Sequence, residues 1–350
     1  MRIRHLALGG LLLLGACAAP QPVAAGPETI ACAGGSVRAQ GSSAQTNAVN
    51  NWIKNYQVQC PEATLEYAST GSGAGVRVFV DGTGDFAGSD SPLTPAERSG
   101  AEARCGGPAV HLPMVVGPIA LVYTVAGAGD LRLRPATIGA IFAGAVTVWN
   151  DPAIAADNPG APLPATRIRT VHRADSSGTT GNFTAFLAAT AGGSWRFGAA
   201  STWPAPGGNA QRGSNRLATT VARSDGAIGY VEASYARFHN LATARVGNGA
   251  GEFAALTDEA AGRTVAGARS TGTGGDLPLR IDYATKEPEA YPIVLVTYEI
   301  VCRTGTPGLV RSFLAYTSSP AGQAAATRLG YAPLPEKLRA EVAAAVAGLA

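Results

Sequence analysis

Thr64-Leu65-Glu66-Tyr67-Ala68-Ser69-Thr70-Gly71-Ser72-Gly73-Ala74 is the stretch that decides the fold. Thr64–Tyr67 alternates polar and apolar residues as a strand does, Ser69–Gly73 is loop chemistry, and a short helix is predicted from Ala74 to about Val80. The same order stands upstream. Ser36–Ala39 reads as a strand, Gly41-Ser42-Ser43 as a turn, and Gln45–Tyr56 as a helix with Ala48, Val49, Trp52, Ile53 and Tyr56 on one face. Downstream, Asp85-Phe86-Ala87-Gly88 is a further strand with Ser89-Asp90 at its carboxyl end. Repeated strand, loop and helix predict an open α/β sheet, and such sheets bind ligands beyond the carboxyl ends of their strands.

A third loop of this kind carries a charge. In His172-Arg173-Ala174-Asp175-Ser176-Ser177-Gly178-Thr179-Thr180-Gly181-Asn182-Phe183, a guanidinium and a ladder of hydroxyls and amides stand just ahead of a helix. A helix N-terminus leaves about four amides unpaired and carries partial positive charge, and arginine offers a planar fork of donors. That combination suits a small oxyanion. Taken singly, a Ser or Thr before a helix is an N-cap; three such loops on one scaffold, one with an arginine, point to converging donors.

Between these motifs lies an apolar run, Val110–Val125, broken by Pro113 and Pro118, which reads as a buried strand crossing between two lobes because the prolines would break a helix. Tyr291–Val301 reads as the return strand. Helices close the chain at about 308–317, 320–329 and 335–349, and no repeat of fixed period is present.

The amino-terminal end has Arg2 and Arg4, an apolar run Leu6–Leu14, then Leu14-Gly15-Ala16-Cys17. The run is too short to span a bilayer and resembles a bacterial lipoprotein signal. The expectation is a signal peptide over 1–16, lipidation of Cys17 and an Ala/Pro/Gly tether over 17–31. The remaining chain would be a soluble body anchored by lipid to the outer face of the cytoplasmic membrane. Cys32, Cys60, Cys105 and Cys302 then form an even set in an oxidising compartment, so two disulfides are expected, in any of three connectivities. Their spacing does not suit a metal. Loss of Arg2 and Arg4 lowers the formal charge from +3 to +1. No basic stripe is present, so nucleic acid is an unsuitable partner and anion selectivity has to be local.

Four motifs, in order, resemble those of the PstS family, the phosphate-binding proteins of bacterial high-affinity phosphate ABC importers. They are Gly41-Ser42-Ser43-Ala44-Gln45; Tyr67–Val76; Asp85-Phe86-Ala87-Gly88-Ser89-Asp90-Ser91-Pro92-Leu93; and Arg173–Thr179. Ile141-Phe142-Ala143-Gly144, Trp149-Asn150-Asp151-Pro152 and Gly226–Glu232 match as well, so the resemblance runs from about 36 to 338. It implies a two-lobed periplasmic-binding-protein clamshell, each lobe a mixed sheet flanked by helices, with two crossover strands at the hinge. Lobe 1 would comprise 32–115 plus 293–350, and lobe 2 would comprise 116–292. It implies a monomer that binds inorganic phosphate through Ser43, Ala44, Ser72, Asp90, Arg173, Ser177, Gly178 and Thr179, with Asp175 orienting Arg173, and that delivers phosphate to a membrane permease. The first loop departs from the family in having Ser43 where Thr is frequent and Ala44 where an aromatic is frequent; the hydroxyl and amide survive.

Asp90 decides between anions. An ionised carboxylate only accepts hydrogen bonds, so it suits an anion that still carries a proton and repels sulfate, which has none to donate. Arsenate is protonated like phosphate and is not excluded. Enzyme readings are weaker: Gly71-Ser72-Gly73 lacks the Gly-x-Ser-x-Gly elbow, nothing pairs His172 with a nucleophile, and the clustered ligands of a metallophosphatase are missing. The remaining alternatives are a phosphate sensor or surface protein, or a phosphatase-like enzyme of the same fold. Neither cofactor nor metal is expected.

Overall fold

A computed structural model describes residues 30–350; the 1–16 leader, Cys17 and all but the last two residues of the 17–31 tether lie outside the described residues. The chain forms β1 (Gly35–Gly41), β2 (Ala63–Ser69), β3 (Phe86–Ser89) and the long β4 (Ala109–Thr124). It continues through β5 (Arg132–Leu133), β6 (Arg169–Arg173), β7 (Asn209–Gln211), β8 (Ala227–Glu232) and β9 (Ala242–Thr243). The last strands are β10 (Arg245–Gly247), β11 (Phe253–Ala254), β12 (Arg269–Ser270), β13 (Leu279–Arg280) and β14 (Val294–Cys302). The main sheet has the order β2-β1-β3-β14-β4-β8-β6-β7, with β9 also on β4.

β4 joins the two halves of this sheet. Residues Ala109–Pro118 run antiparallel to β14, and Ile119–Thr124 run antiparallel to β8. The expected crossover strand is therefore present, and its prolines fall where a missing N–H costs least. Pro118 sits where β4 changes partner, and Pro113 lies opposite Tyr298 at a register shift between Thr297 and Tyr298. The return strand lies beside it, since Ile119 N–H donates to Ile293 O at 2.8 Å.

The cores follow the same division. One packs Trp52, Tyr56, Phe79, Phe86, Val115, Ile300 and Phe313; another packs Ile119, Phe142, Trp149, Phe183, Phe186, Tyr230 and Leu295. The helix Thr46–Gln59 buries Ala48, Val49, Trp52 and Tyr56, four of the five residues expected on its inner face. Gly308–Ser318, Pro320–Thr327 and Glu336–Ala347 form the three closing helices. Among the described residues no helix is long and apolar enough to cross a membrane.

Two disulfides close the first core, Cys32–Cys60 and Cys105–Cys302, one of the three open connectivities. The second ties residues 197 apart in sequence. Restricting so long a loop in the unfolded chain is worth roughly 4–5 kcal/mol in the entropic account. The double variant Cys105→Ser, Cys302→Ser is expected to unfold at clearly lower denaturant concentration than the parent, measured by tryptophan fluorescence, with native secondary structure retained below the transition.

Candidate anion-binding site

The strands β1, β2 and β3, parallel to one another, and β6, which runs the opposite way in the other half of the sheet, end at Gly41, Ser69, Ser89 and Arg173, and the loops that follow meet at one place. The first loop leads into Thr46–Gln59, the second into the helix Ser72–Val80, and the fourth into Gly178–Thr190. Ser43, Ala44, Ser72, Asp90, Arg173, Asp175, Ser177, Gly178 and Thr179 are all buried there.

Contacts across the two halves are short. Ser72 Oγ donates to Asp90 Oδ2 at 3.2 Å and accepts from the amides of Asp90 at 3.2 Å and Gly178 at 3.3 Å. Its one proton and two lone pairs are then engaged. Ser43 Oγ lies 2.9 Å from Ser214 Oγ and accepts from the Ser214 amide at 3.3 Å, while Arg173 Nη1 donates to Ser214 Oγ at 3.2 Å. Glycine makes this approach feasible. A Cβ at Gly178 would lie 2.4 Å from Asp90 Cβ and 2.8 Å from Ser72 Oγ, and one at Gly71, where φ is +94°, would lie 2.5 Å from Asp175 Oδ2.

Arg173 is 2% exposed and is held by a two-pronged pair, Nε to Asp175 Oδ1 at 2.8 Å and Nη2 to Asp175 Oδ2 at 2.5 Å. Gly213 N–H also donates to Asp175 Oδ1 at 3.1 Å. Burial by itself would lower the arginine's pKa and raise the aspartate's; the hydrogen bonds and charge between them outweigh it, so Arg173 moves up and Asp175 down. With Nε and Nη2 fixed on Asp175, the Nη1 edge of the guanidinium faces Ser214, whose hydroxyl meets Ser43 of the other half.

Asp90 is the acceptor in the cluster. Thr297 Oγ1 donates to its Oδ1 at 2.7 Å, from β14 beside the register shift that leaves Met114 of β4 unpaired. Burial pushes the Asp90 carboxyl up to about 6, against the hydrogen bonds of Ser42 and Thr297 that favour its ionised form. Asn182 Nδ2 holds the Asp90 carbonyl at 2.8 Å, and Tyr283 OH donates to Asn182 Oδ1 at 2.5 Å.

The predicted residues divide by what their groups do. Asp90, Ser72, Gly178 and Ser43 take part in the contacts between the two halves, and Arg173 donates to Ser214, the partner of Ser43. Ser177 is the N-cap of its helix, accepting from Thr180 N–H at 3.3 Å; Thr179 Oγ1 donates to buried Glu232 at 2.5 Å; and Ala44 N–H donates to Ser42 Oγ at 3.0 Å. The His172 ring nitrogens lie 3.0 and 3.1 Å from the carbonyls of Arg173 and Gly207, and the ring stacks on Trp203. Among the described residues no group of three or more His, Cys, Asp or Glu could hold a metal.

Ser42, Asn182, Ser214, Thr297 and Glu232 complete the site and were not among the predicted binding residues. Ser42, Asn182 and Glu232 lie inside motifs already quoted, and Ser214 follows Gly213 into a helix, Ser214–Ala222, in the same Gly/Ser-to-helix pattern. That pattern was a usable signal. Thr297 had none, being one hydroxyl in an apolar strand.

Residues 26–321 match the family model described as a PBP superfamily domain. Phosphate-binding protein PstS3 of Mycobacterium bovis (strain BCG / Pasteur 1173P2) is 39% identical, the alignment covering 97% of this chain and 96% of that protein. Phosphate-binding protein PstS2 of the same organism is 42% identical over 89% and 86% of the two chains, and Phosphate-binding protein PstS of Xylella fastidiosa (strain 9a5c) is 31% identical over 85% and 80%. Among solved structures, a high-affinity periplasmic phosphate-binding protein bound with phosphate (PfluDING) superposes with a TM-score of 0.71 at 23% identity, over 88% of this chain and 93% of that one. A phosphate-binding protein from Stenotrophomonas maltophilia gives 0.69 at 21% identity, over 89% and 93%. At these identities the structures establish the fold.

Proposed function

The chain belongs to the PstS family of phosphate-binding proteins, within the PBP superfamily, and from that premise we propose that it captures inorganic phosphate between its two lobes and hands it to the permease of an ABC importer. Lobe 1 comprises 32–115 plus 293–350 and lobe 2 comprises 116–292. The observation that carries the reading is the meeting of the two lobes: the Gly178 amide of lobe 2 donates to Ser72 Oγ of lobe 1, which itself donates to the acceptor Asp90, while Arg173 is aimed by Asp175 from the far side. Donors satisfy the oxyanion's unprotonated oxygens; Asp90 accepts from the one that keeps its proton.

Each hydrogen bond to the charged ligand contributes roughly 1.5–3 kcal/mol, so a handful suffices without a net-charged body. Phosphate touching both lobes stabilises their closed arrangement, which is the form the permease would receive. Anchoring at Cys17 would keep the carrier at the outer face of the membrane, and the protein acts as a monomer without catalysis. Calorimetric titration of the full chain with phosphate, arsenate and sulfate is the test, together with incubation with a chromogenic phosphoester. The expected result is tight phosphate and arsenate binding, sulfate weaker by orders of magnitude, and no release of chromophore. Equal affinity for sulfate, or sustained turnover, would overturn the proposal.

A further inference from the structure

Behind the anion site lies a second carboxyl that the binding scheme does not use. Glu299 is 1% exposed on β14, with Gly88 of β3 and Leu112 of β4 opposite it in the sheet. Gln45, the fully buried last residue of the first binding loop, packs its side-chain amide at the same place: a Cβ built at Gly88 would lie 2.3 Å from Gln45 Nε2. Gln45 Nε2 also donates to Tyr67 OH at 3.0 Å, and Tyr67 OH donates to Ser42 O at 2.9 Å. Ser42 Oγ in turn receives the Ala44 amide. One chain of hydrogen bonds thus runs from Gln45 through Tyr67 to the loop that presents Ser43 and Ala44, with the Glu299 carboxyl behind its Gln45 end.

That chain is short of a donor. Gln45 Oε1 and Glu299 Oε2 are both buried acceptors without a hydrogen-bond partner. An ionised carboxylate brings no hydrogen to satisfy either, and two orphaned acceptors in a dry interior are costly. A proton on the Glu299 carboxyl is the missing donor.

We propose that Glu299 is a positioning residue that works as a neutral carboxylic acid, bracing the first loop of the anion site through Gln45, so that anion capture depends on Glu299 keeping its proton. The inference rests on the phosphate reading of the site given above. The titratable groups acting on Glu299 are Asp90 and Tyr67, neither of them a cation. Burial is the main influence pushing its carboxyl up, to about 8, with the Asp90 charge adding to it against the Gln45 side chain. Above that pH, Glu299 would put a second negative charge behind Asp90 and break the hydrogen-bond chain.

The test is the phosphate affinity of the full chain, by calorimetry, from about pH 6.5 to about pH 9.5, for the parent, Glu299→Gln and Glu299→Leu. Phosphate's own ionisation is common to all three and cancels in the comparison. Glu299→Gln, which keeps a neutral donor, is expected to match the parent at about pH 7 and to exceed it about tenfold at the alkaline end. Glu299→Leu, lacking any donor, is expected to bind more weakly at every pH without the parent's additional alkaline decline. Difference infrared spectra at about pH 7 should show a protonated-carboxyl band in the parent that is lost in Glu299→Gln. Superimposable pH profiles for the parent and Glu299→Gln, or no such band, would overturn the proposal even if Glu299→Leu fails to fold. Failure of the parent itself to bind phosphate would instead overturn the reading of the site.

Discussion

Asp90→Asn is expected to raise sulfate affinity by about 100-fold while phosphate affinity falls by no more than about tenfold. In the parent, sulfate entering the cluster would press an unprotonated oxygen against the buried Asp90 carboxylate, an acceptor already aimed by Ser72 and Thr297. Leaving a buried charged group without a donor costs about 3 kcal/mol, and every 1.4 kcal/mol is a factor of ten. Asparagine removes the charge and adds an N–H that can serve either anion, so phosphate loses one charge-assisted acceptor while sulfate loses its penalty. The measurement is paired calorimetric titration with the two anions, and unchanged selectivity would remove Asp90 from its role.

The same argument sets a pH dependence. Burial pushes the Asp90 carboxyl up to about 6, so it is ionised well above that pH and protonated well below it. A protonated carboxyl can donate to sulfate. Parent protein is therefore expected to gain sulfate affinity between about pH 7.5 and about pH 5, while Asp90→Asn, with nothing to titrate there, stays nearly flat.

Gly178→Ala carries the other large effect. The added methyl would lie 2.4 Å from Asp90 Cβ and 2.8 Å from Ser72 Oγ, distances at which something has to shift. Both neighbours belong to the opposite half of the cleft, so the simplest relief is for the lobes to stay apart. Overpacking of this kind costs roughly 1–3 kcal/mol, and loss of the Gly178 N–H to Ser72 contact adds to it. Apparent affinity falls in proportion to the fraction of closed protein, so phosphate binding should weaken by about 100-fold. Thermal stability without phosphate should hold, because alanine suits the first turn of Gly178–Thr190 at least as well as glycine. Affinity within about twofold of the parent would mean that Gly178 does not pack against Asp90 in the phosphate-bound state.

Both predictions concern residues legible in the sequence, and the reason is local. Gly178, Ser177 and Thr179 announce a helix start with unpaired amides, and Asp90 follows a four-residue strand, Phe86–Ser89. Strand, loop and helix spacing places each of them just beyond the carboxyl end of its strand, whatever the details of packing. Other parts left fainter marks. Ser214 repeats the Gly-Ser-helix pattern, whereas Thr297 is an isolated hydroxyl in β14, and only the packing of that strand beside β3 brings it to Asp90.

The sequence by itself determined the α/β alternation, the crossover strand with its two prolines, the three loops of donors and the single acceptor among them. These follow from side-chain chemistry and short-range periodicity, which neighbours along the chain carry without help. Only the tertiary structure decided which cysteines pair, that Ser43 meets Ser214 from 171 residues away and Thr297 meets Asp90 from 207, and that Glu299 lies buried behind the first loop. Those outcomes depend on which surfaces are pressed together and dried when the lobes pack. Burial then sets what the chemistry can do: it raises the carboxyls of Asp90 and Glu299, and the bonds it allows between Arg173 and Asp175 keep that pair charged.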